Sequence, residues 1–154
     1  MRAKDVMVTD FSVISTTTQV SEAVRFLRKN FGDESYMNAA PGLVVVNEKG
    51  ELAGILSPLT VLRVLANQVN RDERPAQPSS GFYGELCNTL KGKLVEDIMD
   101  WQAISVTEDA ELLEVADIFV EHRFQRIPVV KGKAVVGIIY RSRLLFALTE
   151  CLLA

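Results

Sequence analysis

Apolar residues at Val20, Ala23, Val24, Leu27 and Phe31 fall at a spacing that predicts a helix, and the Thr16-Thr17-Thr18 run before it can supply an N-cap hydroxyl. The same spacing returns at Leu112, Val115, Ala116 and Phe119, with Asp109 as the expected cap. After each helix come two short β-rich runs. Leu43 to Val46 and Leu52 to Leu56 flank Asn47-Glu48-Lys49-Gly50, which has the composition of a hairpin turn; Ile127 to Val130 and Ala134 to Ile139 flank Lys131-Gly132-Lys133. The first run of each pair is apolar on consecutive residues, which predicts burial on both faces. Closing helices follow, each with one apolar stripe: Val61, Leu62, Leu65 and Val69 in the first, Leu144, Leu145, Leu148 and Leu152 in the second. Each half thus reads as a short extended lead-in, a helix, two strands joined by a tight turn, and a second helix.

The halves are copies. Asp5-Val6-Met7 returns as Asp97-Ile98-Met99, and one offset of 92 carries the comparison to Phe31 and Arg123. Gly54-Ile55-Leu56 answers Gly137-Ile138-Ile139 at an offset of 83, so the first copy holds nine more residues, most of them expected in the turn formers Gly32-Asp33-Glu34-Ser35 and Asn38-Ala39-Ala40-Pro41-Gly42. A duplication of this length predicts paired sub-units rather than a solenoid. The expected organisation is repeat one over 1–66, a linker over 67–93, and repeat two over 94–154. The linker contains Arg71-Asp72-Glu73-Arg74-Pro75 and Pro78-Ser79-Ser80-Gly81, while Phe82, Tyr83, Leu86 and Leu90 predict a short helix within it. At 154 residues the two halves should share one folding unit, and neither should be stable alone.

Composition narrows the classes. The chain is 48% apolar and 24% charged with a net charge of -3, which argues against disorder and against general nucleic-acid affinity. No secretory signal is expected, because Met1-Arg2-Ala3-Lys4-Asp5 is not followed by an uninterrupted apolar h-region, and no membrane span, because the apolar stretch from Leu144 to Ala154 is short and broken by Thr149 and Glu150. Cys87 and Cys151 lack the spacing of a metal site and read as reduced thiols, so a cytoplasmic location is expected. His122 is the only histidine and has no suitably spaced nucleophile or metal ligand, so no catalytic and no metal residue is assigned. The carboxylates Glu108, Asp109, Glu111 and Glu114 lie at a helix start, where the dipole favours them.

Asp-Val/Ile-Met, a capped helix, Ile-Pro-Val-Val, and a strand opening on Gly-Ile before another helix together resemble the CBS domain, named after cystathionine beta-synthase. The resemblance covers nearly the whole chain except the linker. It implies a mixed α/β (α+β) fold of two pseudo-symmetric βαββα repeats packed sheet to sheet, with adenosine-containing ligands in clefts between them and dimerisation through helices. It also implies a ribose motif of Ser or Thr, two residues, then Asp after the Gly-containing strand. Here those positions are Ser57 and Thr60 in repeat one, and Tyr140 and Arg143 in repeat two. Loss of charge-assisted hydrogen bonds of roughly 1.5 to 3 kcal/mol implies a nucleoside interaction about 10- to 100-fold weaker than that of a family-typical site. The lead-in residues Phe11, Ser12, Ala103 and Ile104 match the family's adenine-pocket segment, and the strand starts Leu43-Val44 and Ile127-Pro128 lie beside the cleft by the same resemblance.

Charge is segregated within repeat two. From His122 to Arg143 there are six Lys/Arg and no acid, whereas Leu94 to Glu121 has nine acids and no Lys or Arg. Arg126, just before Ile127-Pro128, could grip phosphate oxygens in a bidentate fork, or it could belong, with Tyr140 and Arg143, to a solvated basic face. Ser57 before Pro58 could equally be a helix cap. The leading expectation is a stand-alone regulatory ligand sensor that binds AMP, ADP, ATP or S-adenosylmethionine, forms a homodimer and signals to an effector protein. The alternative is an assembly module with degenerate sites, using the second apolar face at Leu113, Ile118 and Val120. An enzyme is the least favoured class.

Overall fold

Two three-stranded sheets of identical order form the frame of the computed structural model, which describes residues 1–31, 43–101 and 104–153. In the first, β1 (Val13–Ser15) runs parallel to β2 (Leu43–Val46), which pairs antiparallel with β3 (Leu52–Leu56). In the second, β4 (Val106–Thr107), β5 (Arg126–Lys131) and β6 (Ala134–Tyr140) repeat that arrangement. Both hairpins slip register at the same place, between Val45 and Val46 and between Val129 and Val130. Gly50 and Gly132 turn the two hairpins at φ +76° and +64°, a region that side chains with a Cβ avoid. The hairpins also touch, through a hydrogen bond that the Leu52 amide donates to the Lys133 carbonyl at 3.0 Å. The turn-former stretches 32–35 and 38–42 lie outside the described residues.

The lead-ins are expected to be extended, but each contains one helical turn: α1 (Ala3–Val6) and α5 (Val95–Ile98). Four residues are too few for a periodic apolar signal. The repeated aspartate explains both turns. Asp5 accepts from the Arg2 amide at 2.7 Å, and Asp97 accepts from the Leu94 amide at 2.8 Å. Each carboxylate therefore satisfies a donor that the start of a helix leaves free.

Each lead-in belongs to the other repeat's core. Ala3 and Val6 pack with Val115, Phe119, Ile127 and Ile139 of repeat two, while Val95, Ile98 and Met99 pack with Val20, Ala23, Leu43 and Leu56 of repeat one. Backbone bonds fix the exchange: Ala3 donates to the Ala110 carbonyl at 2.9 Å and Val95 to the Thr18 carbonyl at 2.7 Å. Val95→Ala is expected to destabilise the protein by about 2 kcal/mol, because the side chain is fully buried. Strand-resolved amide exchange should show the loss in β2 and β3 of the first repeat; faster exchange confined to β5 and β6 would contradict the exchanged packing.

The long helices are α2 (Val20–Phe31) and α3 (Pro58–Ala66) in repeat one, and α6 (Leu112–His122) and α7 (Arg141–Thr149) in repeat two. The linker helix is α4 (Ser80–Asn88), capped by the Ser79 hydroxyl. Asp109 does not cap α6. Glu111 does, accepting from the Leu113 and Glu114 amides at 3.0 and 3.3 Å, and Asp109 lies 3.6 Å from Lys4 Nζ. The apolar stripes of the closing helices are covered only in part, because Leu144 is buried but Leu62, Leu145 and Leu148 are exposed in this chain.

Candidate functional site

A cavity of about 570 Å³ opens at the seam between the repeats. Three segments build it: the end of β3 with the first turns of α3 (Ile55 to Arg63), the chain after α5 (Asp100, Ile104), and the turn from α6 into β5 (His122 to Arg126). The exchanged lead-in brings them together. Asp100 and Ile55 exchange both backbone hydrogen bonds at 3.1 Å, so the chain after α5 is fixed against the edge of repeat one's sheet.

At the start of α3, Ser57 is the N-cap and its hydroxyl accepts from the Thr60 amide at 3.3 Å. Thr60 reciprocates, with its hydroxyl 3.1 Å from the Ser57 hydroxyl and 3.4 Å from the Ser57 amide. The pair is thus a capping box in which threonine takes the place usually held by Glu or Gln. Pro58 fits the first helical position, where no amide partner is required. Ser57→Ala is expected to cost about 1 kcal/mol through the cap alone. Urea denaturation measures that loss, and a fall in ligand affinity larger than the loss of folded protein would assign the hydroxyl a second role.

Arg126 is the unusual residue. It is only 6% exposed, and its Nε has no hydrogen-bond partner among the described residues. The guanidinium carbon sits 5.9 Å from the centre of the Tyr140 ring, its partner across the β5–β6 pair. Burial lowers the proton affinity of the guanidinium, with Tyr140 acting in the opposite direction, and raises that of the Tyr140 phenol against the pull of Arg126. An arginine nevertheless stays charged throughout the range in which proteins work. Arg126 is therefore a desolvated cation on the wall of a cavity, lacking part of its hydrogen bonding.

Of the residues expected at a ligand site, Ser57, Thr60, Ile104 and Arg126 line this cavity. Leu43, Val44, Ile127 and Pro128 are fully buried and offer a ligand no side-chain surface. Arg143 does not reach the cavity; its Nε donates to the Val6 carbonyl at 3.2 Å and ties down the first lead-in. Phe11 is half-buried and Ser12 exposed, away from this cavity, and Ala103 lies outside the described residues. Sequence reasoning did not find Arg63, Asp100, His122 and Phe124. Arg63 was detectable in principle, since it follows Thr60 by three residues and so shares its helix face. Asp100 was not, because only the exchange of lead-ins carries it to repeat one. The His122 ring stacks on Phe124 at 5.0 Å and gives the cavity a flat aromatic wall.

The sequence profile of the CBS domain matches residues 3–67 and again 95–150. The CBS domain-containing protein CBSX1, chloroplastic, of Arabidopsis thaliana is 29% identical over 147 residues, which cover 90% of this chain and 59% of that protein. An uncharacterised protein of Methanocaldococcus jannaschii is 27% identical across 96% of this chain and 91% of its own length. A crystal structure of a CBS domain-containing protein of unknown function from Kribbella flavida superposes with a TM-score of 0.69 at 27% identity, covering 100% of this chain and 99% of that one. CBSX2 in complex with AMP shares the fold at 23% identity and a TM-score of 0.70, covering 97% of each chain. The cytosolic domain of the Mg2+ channel MgtE in complex with ATP also shares it, at 24% identity and a TM-score of 0.65, over 95% of this chain and 48% of that one.

Proposed function

Since this chain belongs to the CBS-domain family, we propose that it is a regulatory module whose inter-repeat cavity binds an adenine nucleotide or related phosphorylated nucleoside and signals occupancy to a partner protein. The observation that carries this reading is the buried Arg126, which has an unpaired Nε and lines a cavity that also offers Arg123 and Arg63. A desolvated guanidinium gains most from an anionic acceptor with two oxygens, and a phosphate supplies one. The aromatic and apolar wall at Ile55, Leu59, Ile104 and Phe124 suits the nucleoside part. At the level of fold alone, the AMP complex of CBSX2 and the ATP complex of MgtE are consistent with it. The guanidiniums disfavour the cationic sulfonium of S-adenosylmethionine.

Both repeats contribute to the cavity wall, so a ligand that contacts both biases their relative orientation and shifts the population that a partner meets. Regulation rather than catalysis is part of the proposal, as is a cytoplasmic location, on the sequence grounds given above. No helix among the described residues is long and apolar enough to cross a membrane. Calorimetric titration with AMP, ADP, ATP and S-adenosylmethionine tests the reading. Heat and a thermal shift with a phosphorylated ligand support it; neither signal with any of the four at millimolar concentration removes it.

A second reading is favoured by the exposed apolar side chains of Leu113, Val120, Leu145 and Phe146 on α6 and α7. These helices could seat a second copy of the chain, making the protein an assembly module with or without ligand. Sedimentation equilibrium decides this, since Phe146→Glu should convert a dimer into a monomer.

A further inference from the structure

The cavity contains an ion pair whose halves come from different repeats. Arg63, on α3, has its Nη1 3.9 Å from Oδ2 of Asp100, in the chain after α5. The two side chains are 54% and 65% exposed, so their mutual attraction is weak and easily exchanged. They differ in freedom. Asp100 is held by its paired backbone bonds to Ile55, whereas Arg63 reaches in on a long flexible stem. Among the described lining residues Asp100 is the only acid, set against Arg63, Arg123 and Arg126.

We infer that Asp100 is a built-in competitor for the anion this cavity receives: its carboxylate occupies Arg63 in the free protein, and a phosphorylated ligand displaces it. The inference rests on the phosphoanion reading above. Asp100 both withholds one cation and repels the incoming phosphate, so it weakens binding in proportion to ligand charge. The cavity then responds to a plentiful ligand instead of saturating at trace levels. A neutral nucleoside, making no demand on Arg63, is indifferent to the carboxylate.

Titration of adenosine, AMP and ATP into the full chain tests this, using wild type, Asp100→Asn, Arg63→Gln and the double variant. Asparagine preserves the shape of the side chain and the backbone bonds to Ile55, and an unchanged melting temperature verifies the fold. Asp100→Asn is expected to bind ATP about two- to fivefold more tightly, the size of a partly exposed charge interaction. AMP should gain less and adenosine nothing, and in the Arg63→Gln background the gain should shrink to the part due to direct repulsion. Weaker binding by Asp100→Asn overturns the inference, since the carboxylate would then be contacting the ligand. Equal gains with adenosine, or gains undiminished by the loss of Arg63, overturn it as well. Wild type and Asp100→Asn binding AMP and ATP identically overturns this inference alone and leaves the proposed function standing. No binding of either nucleotide to either protein overturns both.

Discussion

Replacing Arg126 with methionine is expected to weaken nucleotide binding and raise the melting temperature, two effects of opposite sign from one side chain. Binding should fall by about 10- to 100-fold, because the guanidinium would supply charge-assisted hydrogen bonds of roughly 1.5 to 3 kcal/mol. Stability should rise because a desolvated cation with an unpaired Nε burdens the folded state by about 1 to 3 kcal/mol. The contact with the Tyr140 ring returns only part of that, about 0.5 to 2 kcal/mol. The sign of any pH dependence follows from the lowered proton affinity of Arg126. The penalty is fully present below the folded-state value and is relieved only as pH rises past it, so it is constant through neutral pH. Calorimetric scans with and without AMP measure both effects. A variant that binds normally and melts lower would make Arg126 a structural residue.

Gly54→Ala is expected to be the most damaging of the simple substitutions. An added Cβ would lie 2.3 Å from the Asp100 carbonyl oxygen and 3.2 Å from the Met99 sulfur. The nearest atom is backbone, held by its own bond to Ile55, so the clash cannot be relieved by turning a side chain. A loss of about 2 to 4 kcal/mol is expected, lowering the melting temperature by roughly 5 to 15 °C. The matching Gly137→Ala should cost less, since its added carbon meets the flexible Met7 side chain. Gly84→Ala, with open space at its Cβ and a helical setting, should be neutral or slightly stabilising. Equal melting temperatures for all three variants would show that the lead-in does not press on the last strand.

The two repeated motifs are therefore two halves of one contact. Asp5-Val6-Met7 and Asp97-Ile98-Met99 were recognisable by recurrence, and so were Gly54-Ile55 and Gly137-Ile138. Their physical relation was not, because each Met meets the glycine of the opposite repeat. Periodicity reports which face of an element is apolar, and it located the long helices and the hairpins. It does not report which partner covers that face, so the exchanged lead-ins were not predicted. For the same reason Arg126 stood out in the sequence as a cation near a strand start, while Asp100, some 26 positions earlier, did not. Arg143 looked equivalent to Arg126 by charge. Only coordinates separate a guanidinium that faces a cavity from one that holds the Val6 carbonyl.

The exchange of first turns makes the molecule divisible in an unusual way. Cleaving the exposed stretch at Ala76-Gln77 would yield two pieces, each missing a wedge that its counterpart owns. Such fragments should stay unstructured apart and recombine on mixing, which would turn reassembly of this chain into a reporter of proximity between two proteins fused to its pieces.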